Sequence, residues 1–482
     1  MYTPSFHATG PATTGLTRRE VLSRLGGGFG GLALAALLSE ASHSPILAAS
    51  EAARLFDVRP KSPHFPAKAR AVIQLFMHGG PSHIDLYDPK PALEKYDGTK
   101  PPPETMDKES ATSRLLHSPF EFAKHGKSGI EFSQTLPHIA SHADDIAVIR
   151  SMFTRDRNHE QATWIMNTGL VTSGRPTVGA WVAYGLGTEN QNLPAYVVLP
   201  DSRSLPGNGI QNWTSGWLPP IYQGTPFRSE GMPVLNLRPK QVRSAEVEEG
   251  RLRLLGQLNA EHQARHPGEL ELDARIASFE LAGRMQLSAT DALDVSREDA
   301  ETQALYGLDN ARTKGYGSRC LIARRLVERG VRFVQVFMAG LPWDTHQNAA
   351  SMIRSNCEQT DLPIGGLLTD LKRRGLLDST LVFWGGEFGR TPSGQGRDGR
   401  DHHPHGFSVW LAGGGIKGGQ VYGATDQFGY KAVIDRCSVA DLHATMLHQL
   451  GLDYKRLVFP RNGREERLTD VLEAQVLRQL VS

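Results

Sequence analysis

Between Asp398 and Gly406 the chain reads Asp-Gly-Arg-Asp-His-His-Pro-His-Gly, which crowds Asp401, His402, His403 and His405 into one short stretch. Imidazole and carboxylate are the usual ligands of zinc, manganese and iron, ions that activate water or polarise phosphoryl-type oxygens. A loop of this composition can equally be a solvated turn. The choice rests on whether matching residues recur where a fold would bring them together. His78, Ser82, His83 and Asp85 follow one apolar run, and Arg157, His159 and Glu160 precede an amphipathic stretch. Asp344 and His346 follow a second apolar run, and Glu387 and Arg390 a third. Each alone has an ordinary explanation: His78 as a core histidine, Asp344 as a helix N-cap, Glu387 as a turn carboxylate. Their joint occurrence at the ends of apolar runs is the argument for a shared site.

The elements that would position them are legible as runs. Ala71–Met77, Ala195–Leu199, Val331–Met338, Thr380–Trp384 and Phe407–Ala412 are short, apolar and bounded by turn residues, as buried strands are. Helix-like or loop sequence separates them, which predicts an α/β fold with a mostly parallel sheet covered on both faces. In such sheets ligands bind beyond the carboxyl ends of the strands. Residues 240–330, dense in Glu, Arg, Leu and Ala, predict a mostly helical insertion or cap.

The chain has 482 residues, 39% hydrophobic and 22% charged, with a formal net charge of +2. That balance suits a globular protein and argues against nucleic acid as a partner. Cys320, Cys357 and Cys437 cannot all pair, so neither a disulfide scaffold nor a cysteine zinc site is expected. Thr17-Arg18-Arg19-Glu20-Val21-Leu22, the Gly-rich run Leu25 to Leu38 and the small residues Leu47-Ala48-Ala49-Ser50 resemble a Tat signal peptide. The expected organisation is a signal over 1–50, a linker over 51–70 and one domain over 71–482. The Tat machinery would be a partner, the destination periplasmic or extracellular, and the mature protein without a membrane span.

The motifs from His78 to Pro91 (H-G-G-P-S-H-I-D-L-Y-D-P-K-P), Arg157 to Glu160 (R-N-H-E), Trp343 to Asn348 (W-D-T-H-Q-N), Gly385 to Pro392 (G-G-E-F-G-R-T-P) and Gly399 to Ser408 (G-R-D-H-H-P-H-G-F-S) resemble a bacterial family of Tat-exported proteins. It is the domain-of-unknown-function family fifteen-oh-one, within the alkaline phosphatase and sulfatase superfamily. The resemblance implies a three-layer alkaline phosphatase-like core and a divalent metal, zinc or manganese. It also implies hydrolysis of phosphate or sulfate esters, polysaccharide esters among them. By the same resemblance His159, followed by Thr168-Gly169, stands at the nucleophile position with Glu160 beside it, while Asp344 and His346 match a metal-binding pair. His78 and Asp85 stand near a first-strand metal ligand, Glu387-Phe388-Gly389 replaces an Asp-His-Gly, and His405 best matches the last metal histidine, ahead of Asp401, His402 and His403. Arg157, Arg390 and Arg400 are the candidates to grip an oxyanion or assist its chemistry. No Cys/Ser-x-Pro-x-Arg motif lies near Thr168, and Cys320-Leu-Ile-Ala-Arg324 lacks the proline, so formylglycine is not expected. His159 is then either nucleophile or metal ligand. The same losses leave a second reading, a degenerate binding or scaffold protein.

Overall fold

An apolar run with no polar alternation can be satisfied in a strand only if both faces are covered. That is the architecture observed in a computed structural model that describes residues 57–103, 113–228, 244–266 and 270–482. The expected signal segment, 1–50, lies outside these residues. In chain order the central elements are β1 (Ala71–Phe76), β2 (Ile146–Phe153), α1 (His159–Thr168), α2 (Val178–Leu186), β3 (Tyr196–Leu199), α3 (Lys314–Glu328), β4 (Phe333–Phe337), α4 (Ala349–Arg373), β5 (Thr380–Gly385), the hairpin strands β6 (Gly389–Gln395) and β7 (Gly399–His403), β8 (Phe407–Ala412) and α5 (Val439–Gln449).

β1 is central and pairs in parallel with β4 and β5. β3 continues the parallel set beyond β4. β8 runs antiparallel between β5 and β2, so β2 again points the same way as β1. Short strands at Thr225–Pro226 and Gln420–Tyr422 edge the sheet, and Cys437–Ser438 pairs with β2. The fold is thus α/β with a mostly parallel sheet, as the sequence predicts.

Successive strand residues face opposite sides. Ile73, Leu75, Val334, Val336 and Trp384 share one core with Leu321 of α3 and Ile364 and Leu367 of α4. Val72, Phe76, Phe333, Phe337 and Phe383 share another with Val182 of α2 and Met446 of α5. These are the three layers. Within residues 240–330 the described chain forms helices Ala245–Arg265, Leu270–Leu293, Ala300–Leu305 and α3. α3 is buried from Tyr316 to Val327, so it is a sheet-covering helix and not part of a cap. Ala245–Arg265 falls in a separate compact unit and is N-capped by the Ser244 hydroxyl.

From residue 57 the stretch read as linker is tied to the body. Lys61 N–H donates to Leu186 O, His64 N–H to Gly451 O and Lys68 N–H to Gln449 O, each at 2.9 Å. Among the described residues no helix is long and apolar enough to cross a membrane.

His443 of α5 locks this layer to α1: its Nε2–H donates to Met166 O at 2.8 Å. Burial pushes its imidazolium down to about 4, and the carbonyl contact offsets only part of that. The folded value lies below the unfolded value of 6.5, so the unfolded chain takes up the proton first as pH falls. Stability present above pH 6.5 is therefore lost progressively between about 6.5 and 4, by up to ~3 kcal/mol. Denaturant midpoints measured at pH 7 and 4.5 should converge in His443→Gln; an unchanged acid loss in that variant would exonerate this histidine.

Candidate metal centre

Because β1, β2, β4 and β5 all point one way, the segments leaving their carboxyl ends meet at one edge of the sheet. β1 hands over to His78, β2 to the start of α1, β4 to the Trp343–His346 loop and β5 to Glu387. The β6–β7 hairpin returns along the same edge, with His402 paired opposite Arg390. Four side chains converge there: one ligand atom from each of His159, Asp344, His346 and His402 lies within 4.8 Å of the others. Asp344 Oδ1 is 2.9 Å from His346 Nε2, 3.1 Å from His402 Nε2 and 3.2 Å from His159 Nε2.

The outer nitrogens of two rings are already committed. His159 Nδ1 lies 2.6 Å from Glu387 Oε1, and a carboxylate only accepts, so Nδ1 carries a hydrogen and Nε2 is the nitrogen turned to the cluster. His346 Nδ1 is likewise bonded to the side-chain oxygen of Gln395. Carboxylate or amide oxygens behind ligating histidines fix tautomer and ring orientation in this way. Glu387 is itself fully buried and also accepts Gly79 N–H at 2.9 Å.

Converging lone pairs call for positive charge. Burial lowers the His159 imidazolium, but the hydrogen bonds and charges of Asp344 and Glu387 outweigh it and raise its pKa to about 9. Burial acts to raise the Asp344 carboxyl, and contacts from His159, His402 and Arg390 hold it far below the usual carboxylate range. His159 Nε2 is buried yet makes no well-aligned hydrogen bond. Three imidazoles and a carboxylate around such an atom fit a divalent cation of the zinc, manganese or iron type.

Glycine sets how closely the walls approach. A Cβ on Gly79, whose φ is +113°, would sit 2.5 Å from Asp344 N. One on Gly399 would sit 1.8 Å from His346 O. Both contacts are forbidden, so the loop bearing Asp344 and His346 is pinched between two backbones that only glycine allows.

The remaining expected residues are placed differently. His78 is buried behind the cluster, 3.0 Å from Thr163 Oγ1 and 3.9 Å from Glu387 Oε1, and backs Glu387 without joining the ligands. Arg390 is fully buried: it donates to Asp344 Oδ1 at 2.7 Å, Gly80 O at 3.0 Å and Arg400 O at 3.1 Å. It positions Asp344 and presents nothing to a substrate, which corrects its expected role. Asp85 and Arg400 are corrected together. They form a buried bidentate pair, Nε to Oδ2 at 2.8 Å and Nη2 to Oδ1 at 3.0 Å, so neither meets metal or substrate. His403 is buried against Tyr430 O, on the other face of β7 from His402. His405 is exposed, its ring tilted at 49° to that of Tyr430 with centroids 6.1 Å apart, and it lines a different cavity with Lys431 and Arg436. The histidine at the cluster is His402, not His405. Asp401 stands at the margin, its Oδ1 4.0 Å from His346 Nδ1 and its Oδ2 accepting from Arg157 Nη2 at 3.1 Å. Glu160 is exposed on α1 and does not belong to the converging set.

Three participants escaped the sequence reading: Gln395 behind His346, Thr163 against His78, and Phe388, whose ring lies 4.9 Å from His159 and 4.8 Å from His402. Thr163 was open to detection, since it lies one helical turn from His159 on the same face.

No curated protein matches the chain in sequence. Among solved structures, the lipoteichoic acid synthase LtaP from Listeria monocytogenes is 10% identical over 85% of this chain and 78% of its own, with a TM-score of 0.36. The alkaline phosphatase from the Antarctic bacterium TAB5 is 11% identical over 82% and 100%, with a TM-score of 0.32. The PsFucS1 sulfatase from Pseudoalteromonas sp. is 13% identical over 81% and 68%, also at 0.32. At these scores the likeness says nothing about individual site residues. The family model described as "Protein of unknown function (DUF1501)" matches residues 69–481, nearly the whole chain, and the protein belongs to that family.

Proposed function

We propose that this protein is an exported, metal-dependent hydrolase of phosphate or sulfate esters that does not use formylglycine. The observation that carries the reading is the convergence of three imidazole Nε2 atoms on one carboxylate oxygen. His159, Asp344, His346 and His402 would hold the ion, zinc or manganese by their chemistry. When bound, it supplies a Lewis acid for a tetrahedral ester oxygen.

The chain's own groups do the rest. Glu387 holds the His159 ring in one tautomer, and Gln395 does the same for His346. Arg390 fixes Asp344. Arg157, bonded to Asp401, is the guanidinium we assign to an anionic ester, polysaccharide esters included. Among the described residues no serine, threonine or cysteine bonds to the four ligands, and the buried Cys320 thiol is pushed far up by desolvation. Water is therefore the nucleophile we assign. The twin-arginine stretch and the small-residue site after it support export to the periplasm or beyond.

The test is metal analysis of the purified full chain, with zinc or manganese supplied during expression, joined to turnover of aryl phosphate mono- and diesters and aryl sulfates. Stoichiometric metal with turnover of one ester class is expected, and both should be lost in His346→Ala. A chain that retains no transition metal and turns over none of these esters would sink the proposal.

A further inference from the structure

α1 brings more than His159 to the sheet. His159, Thr163 and Asn167 are spaced four residues apart, so they form one stripe within about 80° of the helix surface. Each is tied to a different strand. His159 Nδ1 lies 2.6 Å from Glu387 Oε1 beyond β5, and Thr163 Oγ1 lies 3.0 Å from His78 Nε2 beyond β1. Asn167 Oδ1 accepts Gln335 Nε2–H of β4 at 3.1 Å. β5, β1 and β4 are consecutive in the sheet, so one helical stripe is pinned across three neighbouring strands.

The third tie belongs to a buried chain of side chains whose direction is forced. Asn212 Nδ2 donates to Gly207 O at 2.6 Å and to Gly209 O at 3.0 Å. A carbonyl only accepts, so Asn212 turns its Oδ1 to Asn167 Nδ2, at 3.1 Å, and Asn167 in turn presents its Oδ1 to Gln335. Gln335 Oε1 then receives Tyr196 Oη–H of β3 at 2.7 Å. Tyr196, Asn167, Gln335 and Asn212 are each at most 1% exposed. The 207–209 turn at the far end closes back on the first turn of α1. Asn208 Nδ2 donates to Glu160 O at 2.9 Å, and a Cβ on Gly207 would lie 2.7 Å from His78 Cε1.

Burial alone does not call for these amides, since apolar side chains of similar shape in place of a buried polar pair can be nearly neutral for stability. What apolar packing leaves loose is register. Burial is non-directional, so Ala162, Ile165 and Met166 define the covered face of α1 better than its position along its axis. A slip of one residue moves a helix by ~1.5 Å and turns it by ~100°, which would break all three ties at once. A functional side chain has to be held to within roughly 0.5 Å.

We infer that Thr163, Asn167 and Gln335 are positioning residues that fix the register of α1 and so hold His159 against Asp344, a role that rests on the metal centre proposed above. Groups standing behind a metal ligand account for roughly 10–100-fold in affinity. Zinc affinity of the full chain is measured by competition with a chromogenic chelator, and ligand geometry by the visible absorption of the cobalt(II)-loaded chain. Thr163→Val and Gln335→Met roughly keep the volume and remove one tie each. Each is expected to weaken zinc binding at least about 10-fold and to alter the cobalt spectrum, in chain shown to be folded by denaturant titration. Thr163→Ser keeps the hydroxyl and should return both readouts to near wild type. Gln335→Met also strands the Tyr196 hydroxyl, so Thr163→Val decides if that chain does not fold. Wild-type affinity and spectrum in the folded variants, or equal losses in Thr163→Ser and Thr163→Val, would overturn the inference and leave the metal centre standing. A wild-type chain that takes up neither zinc nor cobalt would remove the centre itself, and this role with it.

Discussion

In Asp344→Asn the protein is expected to lose its divalent ion and, with it, more than about 100-fold of any ester turnover. Groups standing behind metal ligands already account for roughly 10–100-fold in affinity or activity when removed, and Asp344 is in front of them. Its Oδ1 is the point on which His159, His346, His402 and Arg390 all close. Asparagine keeps the shape but removes the charge that offsets three imidazoles and a buried guanidinium. Metal content by mass spectrometry and kcat/KM at saturating metal check the prediction together. Near wild-type values for both would remove Asp344 from the centre, and with it the ligand set proposed for this protein.

Asp85→Ala should act on stability and spare the metal. The Arg400 guanidinium is almost wholly buried, and among the described residues Asp85 is its only carboxylate; the other acceptors are the carbonyls of Thr391, Pro392, Leu116 and His117. Removing one partner of a buried pair leaves an uncompensated charge and costs about 3–5 kcal/mol. Equilibrium unfolding in denaturant should show that loss, while the fraction that remains folded keeps its ion. Pairing it with Arg400→Met should recover part of the loss, because the stranded charge goes too. If Asp85→Ala instead emptied the site at unchanged stability, Asp85 would be a ligand after all.

The two cases show what a sequence can and cannot reveal here. β1, β5 and β8 were legible because strands covered on both faces read as unbroken apolar runs. β2 was not, since Arg150 and Ser151 interrupt its run, although six of its eight residues are buried. The hairpin was hidden by its Gly, Pro and Ser content, which reads as loop. Its register decided the site. On a strand with period two, His402 and His403 must face opposite ways, and only the pairing of His402 with Arg390 tells which faces Asp344. Ligand type was therefore visible and ligand parity was not. The same limit misled the arginines. Arg157, Arg390 and Arg400 look alike as letters, yet burial makes two of them braces and leaves one partly in contact with solvent.

The four converging side chains come from the end of β2, the loop after β4 and the returning hairpin, segments far apart in the chain. No partial structure holds more than a fragment of that set. On the function proposed above, ion capture becomes a checkpoint: a chain that has closed only half of its sheet has nothing to offer the metal, and one that binds it tightly has finished folding. Any cell that had to tell finished copies from unfinished ones could do so by the metal they carry.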